Sequence, residues 1–433
     1  DGTDGNVLHL SPEICYVSPT GSHEWPYDTP QIASTNFIDV VAEARGRIVV
    51  LPGAYENLPH VTDANGKDFV GIFEHAVTIE GPDDPRAATI NCAGRGGLKL
   101  ENRDAKLWGV AFTNFSIGTA QSALTVAAGL ASNIVVDAGK KYGWQTANYV
   151  NVGPGATLTD SLLTGSKTTN WKEGYVLSCK GGLVRNCRIV DNHSDDARIF
   201  YLAYDSGIQR PGRMEGCVIT NNSSFYSFCD FSGAVVVEDC LFEKNNTAYN
   251  NGNYPLISLP ASAVLRRCRI LRNKIQSTLI GCNGWDLTAP PRIENCLIAD
   301  NTLTSRGGYA FYVTPNVNAA ASVLNTTIVN NQGGGIYYGN NVGVTYPSQF
   351  YMTNSVVWAN FPVGATVATN VIGTVSAPKL AHNCYSEAVE DDGNFNTAQD
   401  PQLRASGRKI YQPKPTSPCV ATGDAWFWTE DDV

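Results

Sequence analysis

Seven short segments of the chain alternate polar and apolar residues in the same way and end in the same turn. The first three are Asn186-Cys187-Arg188-Ile189-Val190-Asp191-Asn192, Gly216-Cys217-Val218-Ile219-Thr220-Asn221-Asn222 and Asp239-Cys240-Leu241-Phe242-Glu243-Lys244-Asn245. The others end at Asn273, Asn301, Asn331 and Asn360, and weaker copies lie upstream around Gly109–Asn114 and Asp160–Leu163. Their anchors at 187, 217, 240, 268, 296, 326 and 355 are 30, 23, 28, 28, 30 and 29 residues apart. The anchor and the residue two places on (Ile189, Ile219, Phe242, Ile270, Ile298) share one strand face by period-two alternation, and the residue three before (Val184, Met214, Val237, Leu265, Ile293) is read on the same face. A period near 28 is too short for a strand with a covering helix, and it suits one coil of three short strands.

Stacked coils place equivalent positions ~4.8 Å apart. Two ladders follow. One is Asn192, Asn222, Asn245, Asn273, Asn301, Asn331 and Asn360, extended upstream to Asn114; Asn suits a turn because it tolerates the left-handed conformation and bonds its neighbours. The other is Cys187, Cys217, Cys240, Cys268 and Cys296, read as an inward column packing like small apolar side chains. A straight column does not offer tetrahedral convergence, so no metal is expected there. Asn383-Cys384 continues the spacing 29 residues after Ser355. The fold expected is all-β: a single-stranded right-handed parallel β-helix. Residues 1–60 would form an N-terminal strand and helical cap, 61–385 the coils, and 386–433 an irregular C-terminal cap.

Composition agrees. Charged residues make up 16% of the chain and glycine is abundant, as expected of short strands joined by tight turns. Net charge is −9 without a Lys/Arg cluster, which argues against nucleic acid and anionic membrane surfaces as partners. No run of about 18 apolar residues suggests a membrane span. Asp1-Gly2-Thr3-Asp4 is no signal peptide, so an exported protein would already have lost its leader. Twelve cysteines show no CxxC motif; Cys15 with Cys92, or Cys384 with Cys419, are the pairs open to bridging near the two ends. Many cysteines with low charge favour an oxidising, extracellular setting, secreted or at the cell surface.

With these repeats the chain resembles the right-handed parallel β-helix proteins of the pectate-lyase-like superfamily. Tyr16-Val17-Ser18-Pro19-Thr20-Gly21-Ser22, Ile48–Tyr55 and Pro415–Asp424 carry a narrower resemblance, to bacterial surface proteins of the choice-of-anchor Q group. The superfamily holds lyases, glycosidases, esterases and adhesins, so the likeness specifies fold far better than activity. At the ends, Ser34 or Thr35 is expected to N-cap a helix that presents Phe37, Ile38 and Val41 and stops at Gly46. The proline-rich tail closing on Trp426, Phe427 and Trp428 is expected to wrap the other end.

Lyases of such a fold use Ca²⁺ or a guanidinium with a Lys or Arg base, and hydrolases use paired carboxylates. The nearest match is His193, Asp195, Asp196 and Arg198, with Tyr201, Tyr204 and Asp205 behind and Asp230 one coil away. The competing reading is a solvated loop after a turn. Tyr201, Tyr204, Tyr226, Tyr312 and Tyr338 are candidates for stacking on sugar rings. Arg185, Glu215, Glu238, Arg266 and Glu294, two before each anchor, read as a surface ion-pair ladder. No cofactor is expected unless the protein is a lyase, which would take Ca²⁺.

Two functions remain. The favoured one is an extracellular structural protein, a rigid scaffold, adhesin or filament subunit. It would associate head to tail with itself, or with a cell-surface partner, through Val7, Leu8 and Leu10 at one pole and Trp426, Phe427 and Trp428 at the other. The alternative is a polysaccharide lyase or glycoside hydrolase acting on an extracellular glycan.

Overall fold

The computed structural model describes residues 12–419, except 116–121, 138–147, 169–173, 195–197, 226–227, 248–253, 283–288, 306, 314–319, 340–348, 374–377, 389–392 and 406–410. Its strands stack into three long parallel sheets that run the length of a right-handed solenoid. Among the described residues sheet A has fourteen strands, from Ile14–Val17 to Lys379–Ala381. Sheet B has thirteen, from Gly53–Tyr55 to Cys384–Tyr385, and sheet C has thirteen, from Val61–Thr62 to Val371–Gly373. A fourth, sheet D, stacks two-residue strands between B and C from Lys167–Thr168 to Thr302–Leu303.

What reads in sequence as one strand from Val184 to Ile189 is two strands meeting at a corner. Leu183–Arg185 belongs to sheet A and Arg188–Val190 to sheet B. Between them Asn186 is left-handed (φ 51°), as are Gly216, Asp239, Arg267, Asn295, Asn325 and Asn354 in the following coils. The next corner turns in the same way at Asp191, Asn221, Lys244, Arg272, Asp300, Asn330 and Ala359. The left-handed residue is therefore the one before the Asn ladder. Asn114 is itself one of these (φ 51°), and Phe115, buried, fills the ladder position of its coil.

Freed from the turn, the ladder asparagines point inward and join the coils. Asn273 donates through Nδ2 to the Phe242 carbonyl of the preceding coil at 3.0 Å and to Asn301 Oδ1 of the next at 2.9 Å. Its Oδ1 accepts from the Asn245 backbone N–H at 2.9 Å. The pattern repeats from Asn192 through Asn360 and continues to Asn370. Every polar atom of a buried amide is satisfied in this way, and that satisfaction makes its burial tolerable.

The cysteine column is also a hydrogen-bonded ladder, and not the plain apolar stack expected. The Cys187 N–H donates to Cys217 Sγ at 3.4 Å, and the Cys217 thiol donates to the Glu215 carbonyl at 3.3 Å. Ser161, Thr326 and Ser355 occupy the same column with the same bonds. Asn383, not Cys384, takes the next place, because Ser355 N–H donates to Asn383 Oδ1 at 3.0 Å while Cys384 pairs with Val356.

One apolar core fills the solenoid from Cys15 to Tyr385. Ile189, Ile219, Phe242, Ile270, Ile298 and Ile328 are fully buried in it, each contributing roughly 1.5–3 kcal/mol. The N-terminal helix is Phe37–Glu43, capped by Asn36, whose side chain accepts from the Asp39 N–H at 3.1 Å. Ser34 and Thr35 lie short of the cap, and Phe37 and Val40, not Val41, are the buried pair. Phe37 packs against Tyr55 and lids the first coil. At the other end the chain folds back along the outside of sheet B, where Leu403 and Tyr411 pack on Leu271, Ala299 and Val329.

Candidate functional site

The outer faces of the sheets differ in what they leave accessible. On sheet A the charges two before each anchor are paired: Arg185–Glu215 at 2.7 Å and Arg266–Glu238 at 2.6 Å join neighbouring coils, while Arg213, four before its anchor, reaches Glu238 of the next coil at 2.9 Å and Arg292 pairs with Glu294 within one strand at 3.0 Å. Burial pushes the Glu238 carboxyl up, but the guanidiniums of Arg266 and Arg213 outweigh it and hold it below the ordinary range. These partly exposed pairs form the expected ladder, each worth ~0.2–1 kcal/mol. The C-terminal coils of sheet B are covered by the returning chain.

Sheet C is different. Phe200, Cys229, Ile257, Ile280, Phe311 and Ile336 form an inward column, and the residue after each points out. In register this outward column reads Lys99, Thr125, Asn151, Ser178, Tyr201, Asp230, Ser258, Gly281, Tyr312 and Tyr337. A parallel column carries Tyr175 and Arg198, then Pro255, Thr278 and Tyr309.

Two clusters stand on this face. In the first, Arg198 Nη1 donates to Asp230 Oδ2 at 2.6 Å and to the Tyr175 hydroxyl at 3.2 Å. The Tyr175 hydroxyl donates to the same Asp230 oxygen at 3.3 Å, and its ring lies 5.2 Å from that of Tyr201. In the second, Tyr312 and Tyr337 stack at 4.9 Å with their planes 10° apart, and Tyr309 flanks both. Three strand steps separate Asp230 from Tyr312, ~14 Å at ~4.8 Å per strand. The floor between is Ser258 and Gly281. Tyr337 covers one face of the Tyr312 ring, while on the other side the column neighbour is a glycine. The slot so defined lies between an aromatic wall and a hydrogen-bonding one, with the Pro255 side chain bordering Gly281 within it.

Of the sequence candidates, Arg198, Tyr201 and Asp230 come together in the first cluster, and Tyr312 stands in the second on the same face. His193 does not: it lies in sheet D, exposed, bonded to Ser223. Asp205 sits past the end of its strand, where its carboxylate accepts from the Gly207 and Ile208 N–H groups and Lys180 approaches at 3.4 Å. Those bonds, Ile208's first, hold its carboxyl below the ordinary range and make it a turn cap. Tyr204 follows the same strand, beside Gly233. Tyr338 is a correction: it is buried, stacked on Phe350 at 4.9 Å, and Tyr337 takes the outward place. Asp195, Asp196, Tyr226, Val7, Leu8, Leu10, Trp426, Phe427 and Trp428 lie outside the described residues. Tyr175, Tyr309 and Gly281 were not singled out in the sequence, and Tyr337 only as the partner of Tyr338 in an alternating pair; their offset from the inward column is the signal that finds them.

At the N-terminal end of the same outward column, Lys99 donates to Asp63 at 2.9 Å and to Glu101 at 2.5 Å. It floors an open cleft of about 310 Å³ shared with Thr62, Asn65, Ile72 and Glu74. Burial pushes the Asp63 carboxyl up, but Lys99 and the N–H groups of Lys67 and Asn65 bring it to about 2. Among the described residues no group of three or more His, Cys, Asp or Glu is placed to hold a metal ion. No described helix is long and apolar enough to cross a membrane.

Residues 239–376 match the family model of the right handed beta helix region, and the stacked coils of the described chain form a right-handed parallel β-helix. Among curated proteins none matches the chain. Solved structures similar to it include a rhamnogalacturonan lyase, at 13% identity and TM-score 0.28, covering 86% of this chain and 87% of the other. The pectate lyase Pel9A is 15% identical with TM-score 0.36 over 94% and 90% of the two chains. The A-module of the mannuronan C-5 epimerase AlgE4 of Azotobacter vinelandii is 12% identical with TM-score 0.31 over 78% and 91%. The narrower resemblance, to the choice-of-anchor Q group, finds no counterpart among these matches.

Proposed function

We propose that the protein is an extracellular, rigid β-helical scaffold that holds an extended glycan along the outer face of sheet C. The observation that carries this is the slot over Ser258 and Gly281, walled by the Tyr312 ring on one side and by Arg198, Asp230 and Tyr175 on the other. A sugar ring has an apolar face that stacks on an aromatic side chain and a rim of hydroxyls that both donate and accept. The slot supplies both in the required arrangement, and the outward column continues through Ser178, Asn151 and Thr125, as a polymer would need. Holding is favoured over hydrolysis because hydrolysis uses two carboxylates. Asp230 is the single carboxylate among the described residues of the two columns, and Arg198 already engages it.

The test is retention of the purified chain on a printed array of plant and microbial polysaccharides, repeated with Tyr312→Ala and Gly281→Trp. A bound glycan that both variants lose, with unchanged circular dichroism, supports the proposal. Absence of any retained glycan, or binding indifferent to both variants, overturns it. Release of shortened or unsaturated sugars would move the conclusion to the glycosidase or lyase alternative.

A further inference from the structure

All twelve cysteines are described, and none is in a disulfide. The ladder thiols are poor candidates for one. In-register parallel strands hold their Cβ atoms near the ~4.8 Å strand spacing, beyond the ~3.8 Å typical of a disulfide. Each is also fixed by its bonds to the coils on either side.

Cys384 and Cys419 are placed differently. Cys384 opens the last strand of sheet B, and its thiol donates to the Gln399 carbonyl at 3.1 Å. Ser417 donates to the Pro401 carbonyl at 2.6 Å, and its hydroxyl accepts from the Cys419 N–H at 3.1 Å. The two cysteines thus converge on the stretch from Gln399 to Pro401. Cys419 follows an irregular segment, so no ladder fixes its distance from its neighbour. It is also the one cysteine that is only half-buried; the other eleven are buried.

We propose that Cys384 and Cys419 form a disulfide that fastens the C-terminal segment to the last coils. That segment carries Leu403 and Tyr411 across Leu271, Ala299 and Val329. In solution the oxidant is a small disulfide such as oxidised glutathione. The Cys419 thiolate attacks one glutathione sulfur, forming a mixed disulfide and releasing one glutathione thiolate. Cys384, losing its proton, then attacks the Cys419 sulfur and releases the second. Two protons and two electrons leave the protein, and two glutathione thiols are produced. The Cys384 side chain also holds the Cys419 thiol below its ordinary value, which favours the first attack.

The experiment equilibrates the native chain with oxidised glutathione, blocks remaining thiols under denaturing conditions, and maps the peptides by mass spectrometry. One peptide pair joined through Cys384 and Cys419 is expected, with every other cysteine alkylated. The oxidised chain should melt several degrees above the same chain in dithiothreitol. Cys419→Ser should abolish both effects, and Cys268→Ser should leave both. Alkylation of Cys384 and Cys419 together in a chain of intact β-sheet circular dichroism overturns the proposal. So does a different partner for Cys419. The mapping needs no variant, so a misfolded substitution does not affect it.

Discussion

The Arg198 guanidinium reaches one coil forward to the Asp230 carboxylate, 2.6 Å away on the open face of sheet C. About a third of each side chain is exposed, 36% and 29%, so water screens the pair and it adds little to stability. Asp230→Asn is therefore expected to leave the melting temperature within a few degrees of wild type. A hydrogen bond to a charged group is worth ~1.5–3 kcal/mol, so glycan affinity should fall about tenfold or more. Calorimetric titration with the array-identified glycan checks this; unchanged affinity would take the pair out of the site.

The Asn ladder answers to a stability measurement. Asn273→Ala leaves the Phe242 carbonyl, the Asn245 N–H and the neighbouring amides without their partner in a fully enclosed column. Each orphaned group costs ~1–3 kcal/mol, so the loss should be on the order of 3 kcal/mol or more. Arg269→Ala, at an exposed position four residues earlier, should cost a few tenths. Denaturant melts of the two variants separate the cases, and equal losses would contradict the register.

The cysteine column makes a sharper chemical prediction, because Ser161, Thr326 and Ser355 do the same work. Cys268→Ser keeps a donor for the Arg266 and Val237 carbonyls, and should cost under about 1 kcal/mol. Cys268→Val fills the volume but cannot donate to these carbonyls, and should cost roughly 1–3 kcal/mol more. If valine were tolerated as well as serine, the column would be apolar packing after all.

How much of this was legible in the sequence depends on whether a feature repeats. The ladders recur every 23 to 30 residues, so Asn273 and Cys268 stood out. The corner between sheets A and B did not, because its left-handed residue is Asn186, Asp239 or Arg267 in turn, and only the backbone unites them. The contact of Tyr411 with Asp300, 2.6 Å apart in space and 111 residues apart in sequence, has no repeat to announce it. The Arg198–Asp230 pair was anticipated because stacking alone brings outward positions of successive coils together.

Acid should loosen the hairpin that carries Asp63. Its folded carboxyl titrates near 2, below the 3.8 of an unperturbed one, held down by Lys99 and two backbone N–H groups. A depressed carboxyl contributes fully above the unfolded value, and that contribution disappears as pH falls through the folded one. Between about pH 4 and pH 2 the amides of strand Asp68–Phe73 should therefore lose protection from hydrogen exchange. Asp63→Asn should show reduced protection at neutral pH and little further change with acid; a pH response equal to wild type would reassign the effect.

Tyr337 and Tyr338 give the most direct test of which face does what, since they are neighbours in one strand and differ only in direction. Tyr338 packs against Phe350 inside the solenoid, and truncating it removes a large buried ring. Tyr338→Ala should cost about 3–5 kcal/mol of stability. In whatever fraction stays folded, glycan affinity should remain close to wild type, because nothing on the sheet C face is deleted. Tyr337 stands outside and supports the back of the Tyr312 ring at 4.9 Å. Tyr337→Ala should lower stability by about 1 kcal/mol and weaken the glycan several-fold, since an unsupported Tyr312 is free to leave the slot. Phenylalanine at 337 should restore binding, as the stack needs the ring and not the hydroxyl. Denaturant melts paired with calorimetric titration of the three variants read both quantities, and opposite ranking of the two alanine variants would place the glycan elsewhere.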